Sequence, residues 1–248
     1  FWMLAVAALL NLAVVAREPP GPLGHEGIYP HKNYLGAITA MTVIVASAVV
    51  LKGPPRDRLA ALIVVPVALL LLVLAKAKTS LGLAIVVPPA ALVTVLVARD
   101  LRLSPAITVP AALLGAIFVY KTGVAGGWWD FHAFAGTVFG DPTLTLRTDI
   151  WAFATKKIAE APWLGYGFEV FWGAGPDSPS LREGPGFVAK MPHAHNGYLD
   201  LVLQTGAVGF VICMSIFVWM LHLAGRVART SLPLAFFGLA VIWLLLLY

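Results

Sequence analysis

The 248-residue sequence has little charge and a single cysteine, and each shortage closes off a class of protein. Asp, Glu, Lys and Arg make up 12% of the chain against 60% hydrophobic residues, and the mean hydropathy is +0.87. Soluble domains carry about twice that charge, so the composition belongs to the membrane class. Cys213 can form no intrachain disulfide and, lying in an apolar run, reads as a structural thiol. Basic residues outnumber acidic ones, 17 to 12. They are scattered among short loops and not gathered in a patch, which suits membrane topology and speaks against nucleic acid. Polar tails are missing too, since the sequence opens at Phe1-Trp2-Met3 and closes on Trp243 to Tyr248. The expectation is a single transmembrane domain over 1–248, truncated at both ends, with no cleavable signal peptide.

What is there is a series of apolar runs bounded by Lys, Arg, Pro or Gly. Membrane-length runs are expected at 1–16, 34–51, 59–75, 80–98, 104–120, 198–223 and 232–248, about seven helices when roughly 20 apolar residues cross the hydrocarbon. The predicted fold is all-α and polytopic. Pro66, Pro88, Pro89 and Pro110 fall inside runs, where kinks are expected. Alternation places the basic loops 52–58, 99–104 and 225–231 on one side, cytoplasmic by the positive-inside rule. The opposite, outward side receives 17–33, the turn 76–79 and the long loop 121–197.

A connection as long as 121–197 is a place to look for function. Within it, Thr143-Leu-Thr-Leu-Arg147-Thr-Asp-Ile150 through Glu160 has helical period. Ile150, Phe153, Ala154 and Ile158 share one face, and Asp149, Lys156 and Glu160 the other. This predicts an amphipathic helix lying against the membrane domain. Arg147 falls on its apolar stripe, where a cation needs a partner. One reading is a salt bridge or a snorkelling side chain; the other is a grip on an anionic ligand, whose phosphate oxygens suit the planar guanidinium.

After Pro162-Trp-Leu-Gly165-Tyr-Gly167, the stretch 173–192 is rich in Gly, Pro and Ser, has no period and is expected to be a mobile flap. It leads to His193-Ala194-His195-Asn196-Gly197 at the start of an apolar helix, for which Asn196 is the predicted N-cap. His195 at that positive helix end is disfavoured as imidazolium and stays available as a base. Uncapped amides there could also attract an anion. The alternatives are interfacial histidines that merely cap or hydrogen-bond, and a zinc site, for which no Cys or acidic cluster lies at ligand spacing. Gly206 and Gly209, three apart, permit close helix packing.

These residues together resemble the bacterial O-antigen ligase and exopolysaccharide polymerase family. His195-Asn196, nine residues, Gly206, two residues, Gly209 agrees with that family's H-[NSQ]-x9-G-x-x-G pattern. His31-Lys32-Asn33-Tyr-Leu-Gly36, Lys78-Thr79-Ser80, Thr143 to Trp151 and Pro162 to Gly167 follow in the family's order. Leu146, Leu81 and Gln204 depart from it, standing where Gly, Arg and an acid are usual, and Lys78-Thr79-Ser80 leans toward the polymerase branch.

The resemblance implies a GT-C-like, metal-independent, inverting glycosyltransferase of the cytoplasmic (inner) membrane that needs no cofactor. It would act at the outer face on a polyprenyl-diphosphate-linked glycan donor and a glycan or lipid-linked acceptor, within the bilayer and beside other polysaccharide-assembly proteins. On that reading His195 is the general base, Arg147 binds the donor diphosphate with Lys32 or Lys78 as a second cation, and His193 and Asn196 contact substrate. Asp200 is a weaker candidate for holding His195. Two rival classes remain: a secondary transporter, expected to show mid-span ionisable groups and internal repeats, and a noncatalytic component of an envelope export assembly.

Overall fold

The computed structural model describes residues 1–22, 24–130, 147–173 and 175–247. Among them the regular elements are helical, and extended pairing is limited to an isolated bridge between Gly21 and Gly24. The helices are α1 (Trp2–Val15), α2 (Lys32–Lys52), α3 (Pro55–Leu74), α4 (Lys78–Asp100), α5 (Pro105–Ala125), α6 (Arg147–Glu160), α7 (Pro179–Glu183), α8 (Gly197–Val227) and α9 (Leu232–Leu247), with a 3-10 turn at Gly186–Lys190. Five of these, α2 to α5 and α8, are long and apolar enough to cross a membrane. The shorter apolar helices α1 and α9 coincide with the first and last expected runs. The chain is therefore an all-helical, multi-pass membrane protein.

Helical assignment continues through Pro66 in α3, Pro88 and Pro89 in α4 and Pro110 in α5. Non-helical backbone appears inside α8 instead, at Gly206. The run 198–223, read from the sequence as one span, is two helical segments. The part from Ala207 to Val227 is still long enough to cross the hydrocarbon on its own.

Two compact units divide the chain, Phe1–Val109 with Trp219–Tyr248, and Pro110–Val218. In the first, α2 packs against α1, α3, α4 and α9. Small side chains allow this: Ala40, Ala46, Ala61, Ala68 and Ala84 are buried, and helix backbones approach closely over such residues. Trp243 of α9 donates its indole N–H to Thr94 Oγ1 of α4 at 3.0 Å, giving a buried polar group the partner it needs.

Basic residues lie at the ends of the helices of this unit. Lys52, Arg56 and Arg58 flank the α2–α3 turn, and α4 ends at Arg99 and Asp100. Gly225, beside Arg226, lies so close to Pro105 that a Cβ there would come within 2.6 Å of Pro105 Cδ. This brings together two of the three basic loops, the one after α4 and the one after α8.

In the second unit α6 buries Ile150, Phe153 and Ala154, with Ile158 packed at the edge, as its period predicts. The same core takes Phe171, Val188, Ala194 and Leu203. Phe171 is its centre, with ring centroids 5.9 Å from Phe153, 5.0 Å from Tyr166 and 4.8 Å from Trp172. The stretch expected as a mobile flap is folded: it contains α7 and the 3-10 turn, and its Val188 is buried in this core. Two aromatic residues, Phe171 and Trp172, stand just ahead of that stretch and anchor it. Thr143 to Leu146 of the motif that leads into α6 lie outside the described residues.

Candidate active site

The His193-Ala194-His195 segment is held by its middle residue. Ala194 is fully buried, and both of its backbone groups are taken. Its N–H donates to Asp200 Oδ1 at 2.9 Å and Oδ2 at 3.0 Å, and its carbonyl accepts the Trp151 indole N–H at 3.0 Å. Trp172 donates a second indole N–H to Asp200 Oδ1 at 2.7 Å. One carboxylate in the first turn of α8, one indole on α6 and one indole beside the core therefore fix a peptide that carries a histidine on each side. The histidines themselves are exposed.

His195 sits in the left-handed region, with φ +53, an uncommon conformation for a residue with a side chain. Its amide donates to His193 Nδ1 at 3.1 Å. The two rings meet edge-on with centroids 4.2 Å apart. Asn196 then caps α8, its Oδ1 accepting from the amides of Tyr198 at 3.0 Å and Leu199 at 3.2 Å, as the sequence predicts. His31 does the same at the start of α2, its Nδ1 accepting from the Asn33 amide at 3.1 Å.

The His195 ring, exposed overall but partly desolvated, is held below its ordinary range by that desolvation, and the charges of His193 and Arg147 push in the same direction while Asp200 opposes them. Arg147, the first residue of α6, thus lies within electrostatic reach of His195. The sequence foresaw the direction from the helix end; the structure adds a partly desolvated ring and a neighbouring cation. Asp200, considered for holding the His195 ring, grips the backbone one residue before it instead.

A second linkage supports this corner from below. At the break in α8, Gly206 has φ 63 and ψ −169, and the helix loses its own hydrogen-bond partners there. The loop Pro162–Gly167 supplies them. Tyr166 N–H donates to Leu203 O at 2.8 Å and Gly167 N–H to Gln204 O at 3.0 Å. In return Pro162 O accepts from Ala207 N–H at 2.8 Å and Trp163 O from Val208 N–H at 3.2 Å. Backbone meets backbone so closely that a Cβ on Gly206 would lie 2.2 Å from the Trp163 carbonyl carbon, and one on Gly165 2.5 Å from Leu203 O. Gly206 is therefore the point where a loop enters the helix, not a surface for packing a neighbouring helix. Gln204 Oε1 accepts from the Glu169 amide at 3.3 Å and adds to the same linkage.

Lys157 was not singled out in the sequence, yet it is the most buried cation in this unit, with 2% of its surface exposed. It pairs with Glu160 at 2.6 Å and with Glu183 of α7. Hydrogen bonds to Glu160 and Glu183 raise its already high basicity, and the Lys157 ammonium in turn draws the Glu183 carboxyl down. Lys156 beside it is exposed, and the sequence contains no signal that separates the two.

Of the other expected residues, Lys32 and Lys78 belong to the first unit and each opens a helix. Their helices pack closely nearby, where a Cβ on Gly36 of α2 would come within 2.8 Å of Ser80 Oγ of α4. Arg147, His193, His195 and Asn196 belong to the second unit. Among the described residues no three His, Cys, Asp or Glu side chains come together as metal ligands would.

Neither a curated protein nor a solved structure matches this chain. Compared with known families, residues 32–214 match the family described as O-antigen ligase. The match runs from the Lys32 helix start through α6, the His193–Asn196 corner and the Gly206 break. On these grounds the chain belongs to the O-antigen ligase family.

Proposed function

We propose that this protein is a metal-independent, inverting glycosyltransferase on a GT-C-like membrane fold, and that it polymerises polyprenyl-diphosphate-linked glycans at the outer face of a bacterial inner membrane. The observation that carries the reading is His195, held at a left-handed corner through Ala194, beside the Arg147 charge. A ring whose basicity is depressed is neutral near pH 7, the state a general base needs. Arg147 offers a planar donor set for a diphosphate oxygen. A multiply charged leaving group calls for more than one cation.

In this mechanism His195 accepts the proton of an acceptor sugar hydroxyl. The freed oxygen pair forms a bond to the anomeric carbon of the donor. The bond from that carbon to the phosphate oxygen breaks from the opposite side, inverting the centre. The polyprenyl diphosphate leaves with the electron pair, its charge met by Arg147. His193 keeps the His195 amide occupied, Asn196 caps the helix behind it, and both border the substrate. The polymerase branch is preferred over the ligase branch for its Lys78-Thr79-Ser80 sequence.

The test is the full-length protein in vesicles with purified lipid-linked repeat unit and no other acceptor. A ladder of products supports polymerisation, whereas product only after a separate acceptor is added supports a ligase. A His195→Ala variant should lose roughly 10²–10⁴-fold in rate, the range general-base catalysis supplies. Elongation by that variant at the normal rate overturns the assignment of His195.

A further inference from the structure

We infer that the Pro162–Phe168 loop is itself immersed in the lipid bilayer, a wedge that seats the second unit at a fixed depth. This is not one of the apolar runs, and hydropathy over a span-length window does not find it. Three of its side chains lie in the open: Trp163, Leu164 and Phe168 are 71%, 73% and 76% exposed. No charged residue interrupts them from Pro162 to Phe168, while Glu160 and Glu169 stand just outside the loop on either side.

An irregular segment survives in hydrocarbon only where its backbone polar groups are satisfied by protein. This loop meets that condition in part, through the break in α8. Gly165 N–H donates to Ala161 O at 3.2 Å, Tyr166 and Gly167 donate to α8 carbonyls, and the Pro162 and Trp163 carbonyls accept α8 amides. Pro162 has no N–H to satisfy. The hydrogen bonding that holds the loop on the helix lowers the cost of placing it at the lipid boundary, where headgroups can meet the remaining backbone groups.

The surface next to the loop identifies what covers it. Trp163 is bonded to Val208, and along the same membrane-length helix Val208, Val211 and Ile212 are exposed. On a helix of this length and composition such side chains face lipid. Trp163 and Leu164 continue that face past the helix break, and a tryptophan suits the boundary between acyl chains and headgroups. Amphipathic segments of this kind sink about 5–10 Å into that boundary. The first segment of α8, from Gly197 to the break, rises about 1.5 Å per residue, or roughly 15 Å. A seated loop therefore keeps His195 within that distance of the lipid boundary, whatever reaction it serves.

The experiment places a spin label at Leu164→Cys in a Cys213→Ser background of the full-length chain, in vesicles of phosphatidylethanolamine and phosphatidylglycerol. Collisions with oxygen, which concentrates in lipid, are compared with collisions with a water-soluble nickel chelate. Val211→Cys gives the lipid reference and the exposed Asp177→Cys the water reference. Trp163→Cys and Phe168→Cys are read in the same way, so that one variant failing to insert leaves the comparison intact. The expected result is that the loop labels share the oxygen preference of position 211. Nickel access equal to that at position 177 overturns the inference. Exclusion of both reagents overturns it as well, because the loop would then be covered by protein, either a second copy or a partner.

Discussion

Asp200 and Ala194 are joined twice, with the Ala194 amide lying 2.9 and 3.0 Å from the two carboxylate oxygens of Asp200. Hydrogen bonds to a charged group are worth about 1.5–3 kcal/mol each, and here they orient a peptide and not the histidine ring. An Asp200→Ala change should therefore lower turnover by roughly 10–10²-fold, the effect of misplacing a reacting group by about 1 Å, while leaving donor KM little changed. Asp200→Asn keeps an oxygen for Ala194 and Trp172 and should recover much of the loss. Equal losses in the two variants would show that the charge acts directly on the reaction.

Gly206 and Gly165 make a prediction about stability. The φ 63, ψ −169 backbone of Gly206 is essentially glycine-only and costs an alanine on the order of 1–3 kcal/mol, and the clash with the Trp163 carbonyl adds about 1–3 kcal/mol of overpacking. Gly206→Ala should lower the thermal midpoint in detergent far more than Gly186→Ala. Gly186 has the same left-handed sign, φ +53, but nothing within 4 Å of its Cβ position. Similar shifts in the two variants would mean that backbone strain, and not the loop–helix linkage, sets the cost.

The same pair shows what the sequence could reveal. The apolar runs, the face of α6 and the Asn196 cap follow from period and residue type, because each is decided within a few neighbours. Gly206 is different: a glycine that breaks a helix and one that packs against another look alike in a single sequence, and the loop that decides between them lies some forty residues away. Asp200 could be seen near His195, but not that it binds a backbone amide. Lys157 sits beside Lys156 in a polar stretch, and only the folding of α7 onto α6 buries one of them. The ordered stretch after Gly173 was hidden for a similar reason, since Gly, Pro and Ser signal turns without saying whether the turns pack.

The pH dependence follows from the direction of the His195 shift. Burial and the His193 and Arg147 charges lower it, so the ring stays neutral to a pH below the ordinary value of about 6.5. A reaction that needs the neutral ring gains activity as pH rises through the His195 value and then levels off. The acidic limb should accordingly lie below about pH 6.5. Replacing Arg147 by Gln removes one cause and should move the His195 titration upward, read by NMR on selectively labelled histidine even if activity is lost. Arg147→Lys keeps the charge and should leave the titration nearly in place. No movement in Arg147→Gln would separate Arg147 from His195.

Lys157 supplies the last test, because its burial and its partners pull in opposite directions. The ammonium is nearly inaccessible while both carboxylates reach solvent, their side chains 45% and 55% exposed. Each exposed carboxylate alone is screened and can be lost cheaply as long as the other remains. Losing both leaves a buried cation without a counter-charge, which is strongly destabilising. Glu160→Gln and Glu183→Gln should each lower the thermal midpoint slightly, and the double variant by clearly more than the two together, a coupling of the kind that neighbours sharing a partner show. The sign with pH is fixed by Glu183, whose carboxyl is drawn below its ordinary value of 4.5. Its contribution is complete above that value and is lost as pH falls through the lowered one. An acid scan of Lys157→Met should lack this loss, and additive single variants would mean that Lys157 has another partner.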